Sequence, residues 1–353
     1  MDKKKWEQEN VLRLVKKSRK GILRVVFSRF GLMALLLILE LVLLWMMWRW
    51  FNNDFEWFAA AQGVFTVLMF FHLFNSDMDA TGKLTWMFLL AVIPIPASIF
   101  LWFTEKDVGH RTLKRRVQQR IDESRDLLHQ DPEVLRDPEI ESSGTDDLCR
   151  YLNRSGSFPL YANTETKFFP QGEDKFAALL EELQKAEKFI FLEYFIIDEG
   201  YMWGSILKIL ADKAAQGVDV RVLYDGMLEI STLPWDYPRR LEKLGIRCKA
   251  FAPIQPFLST HYNYRDHRKI LIVDGKVAFT GGINLADEYI NQKVRFGHWK
   301  DTAVMIHGDA VMSFTLMFLQ VWDITEKYLD SFENYIVKDL KKIALQSDGY
   351  VLP

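Results

Sequence analysis

The sequence predicts an α/β protein in two parts: N-terminal transmembrane helices, then a mixed, largely parallel sheet covered by helices on both faces. Three observations predict it. Apolar runs of about 20 residues, the length that crosses hydrocarbon, crowd the first hundred positions. From residue 176 onward, continuous β-type runs alternate with segments of helical spacing, the pattern of a sheet buried on both sides. Two further β-rich runs flank Asp274-Gly275, a strong local signal for a tight hairpin.

The apolar runs cover residues 30–48, 55–74 and 84–103 and read as three membrane spans. Trp45, Trp48, Trp50, Trp57, Trp86 and Trp102 stand near their ends, where tryptophan anchors at the bilayer interface. A cleaved signal peptide does not fit, because Trp-Arg-Trp-Phe and no small-residue cleavage site follows the first run. Glu40 within that run reads as a carboxylate that is protonated or paired between helices. Basic residues flank both ends of the anchor (Lys16, Lys17, Arg19, Lys20, Arg24 and Arg29 before it; Lys106, Arg111, Lys114, Arg115 and Arg116 after it), and both flanks favour the cytoplasm. Three full spans would separate them, so either one flank is translocated or one run does not fully cross. The basic segment after the third run and the free thiols favour a cytoplasmic catalytic domain on a multi-pass cell-membrane protein.

The 45 Lys and Arg nearly cancel the 47 Asp and Glu, so net charge selects no partner. Cys149 and Cys248 lie far apart without a CxxC or Cys/His cluster, which excludes a disulfide framework and a zinc site of those patterns. The expected organisation is a basic cytoplasmic segment at 1–29, the anchor at 30–103, a polar helical stalk and linker at 104–159, and a globular part at 160–346. Pro132, Pro138 and Ser142-Ser143-Gly144 punctuate the linker. Within the globular part, helical spacing at 176–186, a strand at 188–197, a helix at 205–216 and a strand at 218–224 make a strand, helix, strand unit. A short helix at 238–245 and a strand at 247–251 follow.

The chemistry concentrates in HRKILIVDGKVAFTGGIN, residues 267–284. Period-two alternation puts His267 and Lys269 on one face of a strand. An imidazole beside an ammonium suits phosphoryl transfer: the ring attacks phosphorus or gives a proton to the leaving oxygen, and the cation steadies developing charge. Gly281-Gly282 allows close backbone approach, and Asn284 can donate to a phosphate oxygen. The arrangement requires no metal and no cofactor. Each residue alone has a plainer reading, a structural histidine, a solvated lysine or, for Asp274, a turn residue whose role is mostly architectural. The joint spacing His-x-Lys-x4-Asp followed by Gly-Gly-x-Asn carries the argument.

That pattern resembles the signature of the phospholipase D superfamily. KFIFLEYFIIDEG, AAQGVDVRVLYDG, GGINLADEY, GHWKDTAVMIHG and the N-terminal KLTWMFLLAVIPIP resemble bacterial cardiolipin synthases in particular. The resemblance implies one phospholipase D-type half at 160–346, two such halves about a pseudo-twofold axis, and one His-x-Lys motif from each in a single site. By it, His267 is one of two catalytic histidines, Lys269 and Asn284 hold phosphate oxygens, Asp274 belongs to the catalytic signature, and Asp301 orients the other half's histidine. Glu193 is a weaker supporting candidate. The implied reaction joins two phosphatidylglycerols into cardiolipin and glycerol through a phosphohistidine, on an anionic lipid surface and without nucleic acid. No second His-x-Lys-x4-Asp occurs, since His298 and His307 begin no such motif. Residues 347–353 are expected to open a second half, so the other motif would come from a longer chain or a homodimer partner. The competing readings are a phosphodiester hydrolase and a catalytically inactive, lipid-binding half-protein.

Overall fold

A computed structural model describes residues 12–14, 38–39, 41–46, 48–49, 55–105, 108–137, 140, 144–156, 158–253, 265–326, 330, 332–337 and 349–353. Its chain divides into two compact units, Ser18–Arg111 with Phe257–His261, and the remainder.

The first unit contains helices α1 (Phe55–Phe74), α2 (Ala80–Val92) and α3 (Pro94–Glu105). Asp79 caps α2, its carboxylate accepting from the Gly82 N–H at 2.8 Å. Leu73, Leu90, Ile93, Ala97 and Leu101 form a small buried core, and His72 pairs with Glu105 at 2.8 Å. The expectation of N-terminal transmembrane helices is corrected here: among the described residues no helix is long and apolar enough to cross a membrane. The run expected at 84–103 is two helices, because Pro94 has no N–H to give and pushes Ile93 out of helical geometry (φ −136°, ψ 68°). The run at 55–74 is a helix that carries Glu56, Gln62 and His72. Most of the run at 30–48, Glu40 included, lies outside the described residues.

Helices α4 (Val108–Ser124), α5 (Pro132–Leu135) and α6 (Thr145–Gly156) occupy the stretch expected as stalk and linker. Arg120 of α4 is buried and donates to the carbonyls of Asp323 (3.0 Å) and Glu326. The sheet that follows has strands β1 (Thr164–Phe169), β2 (Phe189–Tyr194), β3 (Asp219–Asp225), β4 (Arg247–Phe251), β5 (Lys269–Val273), β6 (Val277–Gly281) and β7 (Ala303–Gly308) in the order β1-β7-β6-β5-β2-β3-β4. Helix α7 (Gly172–Lys185) lies between β1 and β2, α8 (Tyr201–Ala215) between β2 and β3, α9 (Leu228–Ser231) and α10 (Tyr237–Glu242) between β3 and β4, and α11 (Val311–Trp322) after β7.

The sheet is mixed and not largely parallel. Only β2/β3 and β3/β4 run parallel; β1/β7, β7/β6, β6/β5 and β5/β2 are antiparallel. The cause is local: helical crossovers return the chain parallel up to β4, whereas Asp274-Gly275 reverses it between β5 and β6 with both residues at positive φ (52° and 65°). β2 and β5 are buried along their whole length, the reason their sequences are apolar on both faces. Ile190, Leu192, Leu271 and Val273 face the core under α7 and α8. Phe191, Ile270 and Ile272 face the other core under α11. Val351 forms an antiparallel bridge to Tyr161, just ahead of β1.

Candidate active site

The site is built where the carboxyl end of β2 meets the amino end of β5, with Tyr194 and Lys269 as register partners. Lys269 begins β5 and His267 stands two residues before it. Lys269 Nζ lies 3.0 Å from His267 Nδ1 and donates as well to the His267 carbonyl. Phe195 covers the pair, its ring centroid 4.7 Å from the imidazole and 5.4 Å from Lys269 Nζ. Burial pushes the Lys269 ammonium down, against the opposing pull of Asp266 and Asp301. With Lys269 charged, Nδ1 accepts, and a neutral His267 ring carries its proton on Nε2.

The residues around His267 are pinned. Asp266 donates its N–H to the Asp225 carboxylate at 2.9 Å, and Arg268 reaches Glu193 at 2.6 Å and Asp266 at 3.3 Å. Glu193 is fully buried, and that burial raises its carboxyl well above the usual range in spite of the Arg268 guanidinium. It faces the α11 core, away from Lys269, and its carboxylate meets the motif through Arg268.

Asn284 and Asp301 come to the same pocket. Asn284 is buried, accepts from the Ile196 N–H at 2.9 Å and donates to the Tyr289 hydroxyl at 2.8 Å, leaving one amide hydrogen for a ligand. A Cβ on Gly282 would lie 2.0 Å from Asp301 Oδ1, and one on Gly281 (φ 138°) would lie 2.5 Å from the Thr302 carbonyl. The Gly-Gly pair thus admits the segment carrying Asp301, just ahead of β7. An open cavity of about 610 Å³ is lined by His267, Lys269, Gly282, Asn284, Tyr289, Asp301 and Pro353, among others.

Asp274 is not there. It stands at the other end of β5, on the order of 16 Å along the strand from Lys269. Its buried carboxylate accepts from the N–H groups of Glu187 (2.8 Å), Lys188 (2.7 Å) and Phe189 (2.9 Å), anchoring the start of β2. The signature's aspartate therefore registers the two central strands.

Sequence reasoning missed Lys175, Tyr194, Tyr289 and Asp287. Lys175 on α7 is fully buried and donates to the Tyr194 hydroxyl (3.2 Å) and the Ile283 carbonyl (3.0 Å). Burial pushes its ammonium down to about 7. Asp287 caps α8, accepting from Tyr201 and Met202, and Gly200 leaves room for it. The available signal for Lys175 was its place beside Phe176 and one turn before Leu179 on an inward face.

Compared with known proteins, residues 179–322 match the family model described as "Cardiolipin synthase, PLD-like domain". An uncharacterized protein of Streptococcus mutans is 52% identical over 282 residues, covering 80% of this chain and 60% of that protein. Cardiolipin synthases of Alkalihalophilus pseudofirmus (34% identical; 73% of this chain, 52% of that one) and Halalkalibacterium halodurans (33%; 84% and 59%) also match. The chain spans between half and two thirds of the length of these relatives. Among solved structures, NucT from Helicobacter pylori aligns at 14% identity and a TM-score of 0.36, covering 45% of this chain and 96% of that one.

Proposed function

Because residues 179–322 belong to the cardiolipin synthase, PLD-like domain family, we propose that this chain supplies one half of a phosphatidyltransferase site making cardiolipin and glycerol from two phosphatidylglycerols. The observation that carries the reading is the His267–Lys269 contact at the mouth of an open pocket shared with Asn284 and Asp301. The other histidine comes from a second half, in a longer chain or a partner copy.

In the first step one histidine's Nε2 lone pair attacks the phosphorus of a phosphatidylglycerol. A P–N bond forms, the bond from phosphorus to the glycerol oxygen breaks, and the other histidine protonates that oxygen. In the second step the histidine that gave its proton takes one from the hydroxyl of a second phosphatidylglycerol, whose oxygen attacks phosphorus as the P–N bond breaks. His267 fills one of the two roles, attacking nucleophile or imidazolium proton donor, and its counterpart fills the other. Lys269 and the free amide hydrogen of Asn284 hold the non-bridging oxygens, and Asp301 accepts from the counterpart imidazole. Lipid substrates place this chemistry at a membrane surface, and the domain of residues 160–346 is its catalytic half.

The test is incubation of the full-length protein with phosphatidylglycerol vesicles, with cardiolipin and glycerol measured by mass spectrometry. Cardiolipin formation that disappears in His267→Ala is expected. Release of phosphatidic acid without cardiolipin would replace this reading with a hydrolase, and no product would leave a lipid-binding half-protein.

A further inference from the structure

We propose that Lys175 is a positioning residue of the phosphate site, an ammonium inside the core that fixes the backbone leading to Asn284 and supplies the second positive charge beside Lys269. The inference rests on the phosphate-binding reading above.

The geometry is that of a clamp between three elements. From α7, Lys175 donates to the hydroxyl of Tyr194, the strand partner of Lys269, and to the carbonyl of Ile283, the residue before Asn284. Its Nζ also lies 5.1 Å from the Tyr194 ring. The beginning of α7 cannot drift from that loop. A Cβ on Gly172 would stand 1.8 Å from the Tyr289 carbonyl, and Asn291 donates to Glu173 at 2.8 Å. Tyr289 in turn accepts from Asn284, so both ends of the segment 283–289 are held by the helix that carries Lys175.

Positioning alone would be served by a neutral donor, and a fully buried ammonium is costly to keep. Charge supplies the reason for lysine. Arg268 also lines the pocket but is paired with Asp266 and with Glu193, whose carboxyl burial pushes toward its neutral form, which leaves Lys269 and Asp301 to cancel each other. Asp301 and Lys269 are also the charges that Lys175 feels, the first favouring its ammonium and the second opposing it. A bound phosphodiester adds one negative charge, and a protonated Lys175 returns the site to neutrality. Because burial holds this lysine near its midpoint at neutral pH, an arriving anion draws a proton onto it.

The experiment measures tungstate binding, as a phosphate mimic, to the full-length protein by calorimetry between pH 6 and 9, with Lys269→Met as the control that removes the site. In Lys175→Met a loss of tenfold or more in tungstate affinity at pH 7 is expected, with a flattened pH profile. Lys175→Gln, which keeps an N–H donor without charge, is expected to fall between. A folded Lys175→Met with unchanged tungstate affinity overturns the inference. Should that variant not fold, Tyr194→Phe removes only the phenol partner and is expected to shift the pH midpoint of binding; an unshifted midpoint overturns it. Tungstate affinity does not depend on lipid turnover, so a protein that binds tungstate through Lys175 and makes no cardiolipin sinks the functional reading alone. Absence of tungstate binding in the parent protein overturns the inference.

Discussion

Lys269, the first residue of β5, places its ammonium 3.0 Å from Nδ1 of His267 just ahead of the strand, so one motif supplies both the phosphate cation and the tautomer of its histidine. Removing either group should damage the proposed reaction in different ways. His267→Ala is expected to lower turnover by roughly 10²- to 10⁴-fold, the range for losing a general acid. Lys269→Met should cost comparable activity and also free Nδ1, so nitrogen NMR of labelled His267 should report mixed tautomers. A single unchanged tautomer would show that Lys269 does not set the position of the ring proton.

Gly282→Ala tests the approach of Asp301. The added methyl would meet Asp301 Oδ1, an atom at the end of a side chain that can rotate away. Stability should therefore fall by only about 1 kcal/mol, the ordinary effect of a single substitution. Activity of the folded variant should fall tenfold or more if Asp301 orients an imidazole, and thermal melting beside turnover separates the two.

Asp274→Ala should do the reverse. It strips the acceptor from three backbone N–H groups and leaves a β-carbon at φ 52° without a compensating contact. A loss of about 3 kcal/mol or more in urea unfolding is expected, since hydrogen bonds to a charged group contribute roughly 1.5–3 kcal/mol each. Asn keeps one acceptor and tolerates the left-handed region, so Asp274→Asn should lose less. Activity per folded molecule should be nearly preserved in both; a selective activity loss would return Asp274 to the catalytic machinery.

Lys175 gives stability a pH dependence of defined sign. Its folded value of about 7 lies below the ordinary 10.5, so between these limits the unfolded chain binds more protons. Stability should rise with pH across that window, by up to about 1.4 kcal/mol per unit. Below pH 7 both states are protonated and the full cost of the buried charge remains. Urea unfolding at pH 7, 8 and 9 should show this rise in the parent protein and a shallower one in Lys175→Met; equal slopes would contradict it.

What was legible in the sequence was the chemistry carried by short spacings. The closeness of His267 and Lys269 follows from their spacing, although the strand begins only at Lys269, and the Asp274-Gly275 turn requires only local backbone preference. The helices and strands from α7 to β4, the short α9 excepted, followed from periodicity for the same reason. The direction of most strand pairings was not legible, because β1 and β7 pair across well over a hundred residues and nothing local marks them as partners. The third apolar run misled because its composition suits one long helix while Pro94 divides it. Lys175 escaped because its two hydrogen-bonding partners come from β2 and from the loop before Asn284, and a lysine on a helix ordinarily reaches water.

The seam between β2 and β5 has a kinetic consequence. Both strands are buried throughout, and β2 along its length and β5 over Leu271–Val273 are paired on each side, so the amides there belong to the part of the molecule that opens last. Lys269 stands at the end of the strand that runs into that core, whereas Asn284 and Asp301 hang from loops. Native-state hydrogen exchange should therefore find the loop that carries Asp301 opening before the centre of β5, giving the pocket one side that loosens to admit a bulky ligand while its strand floor stays assembled.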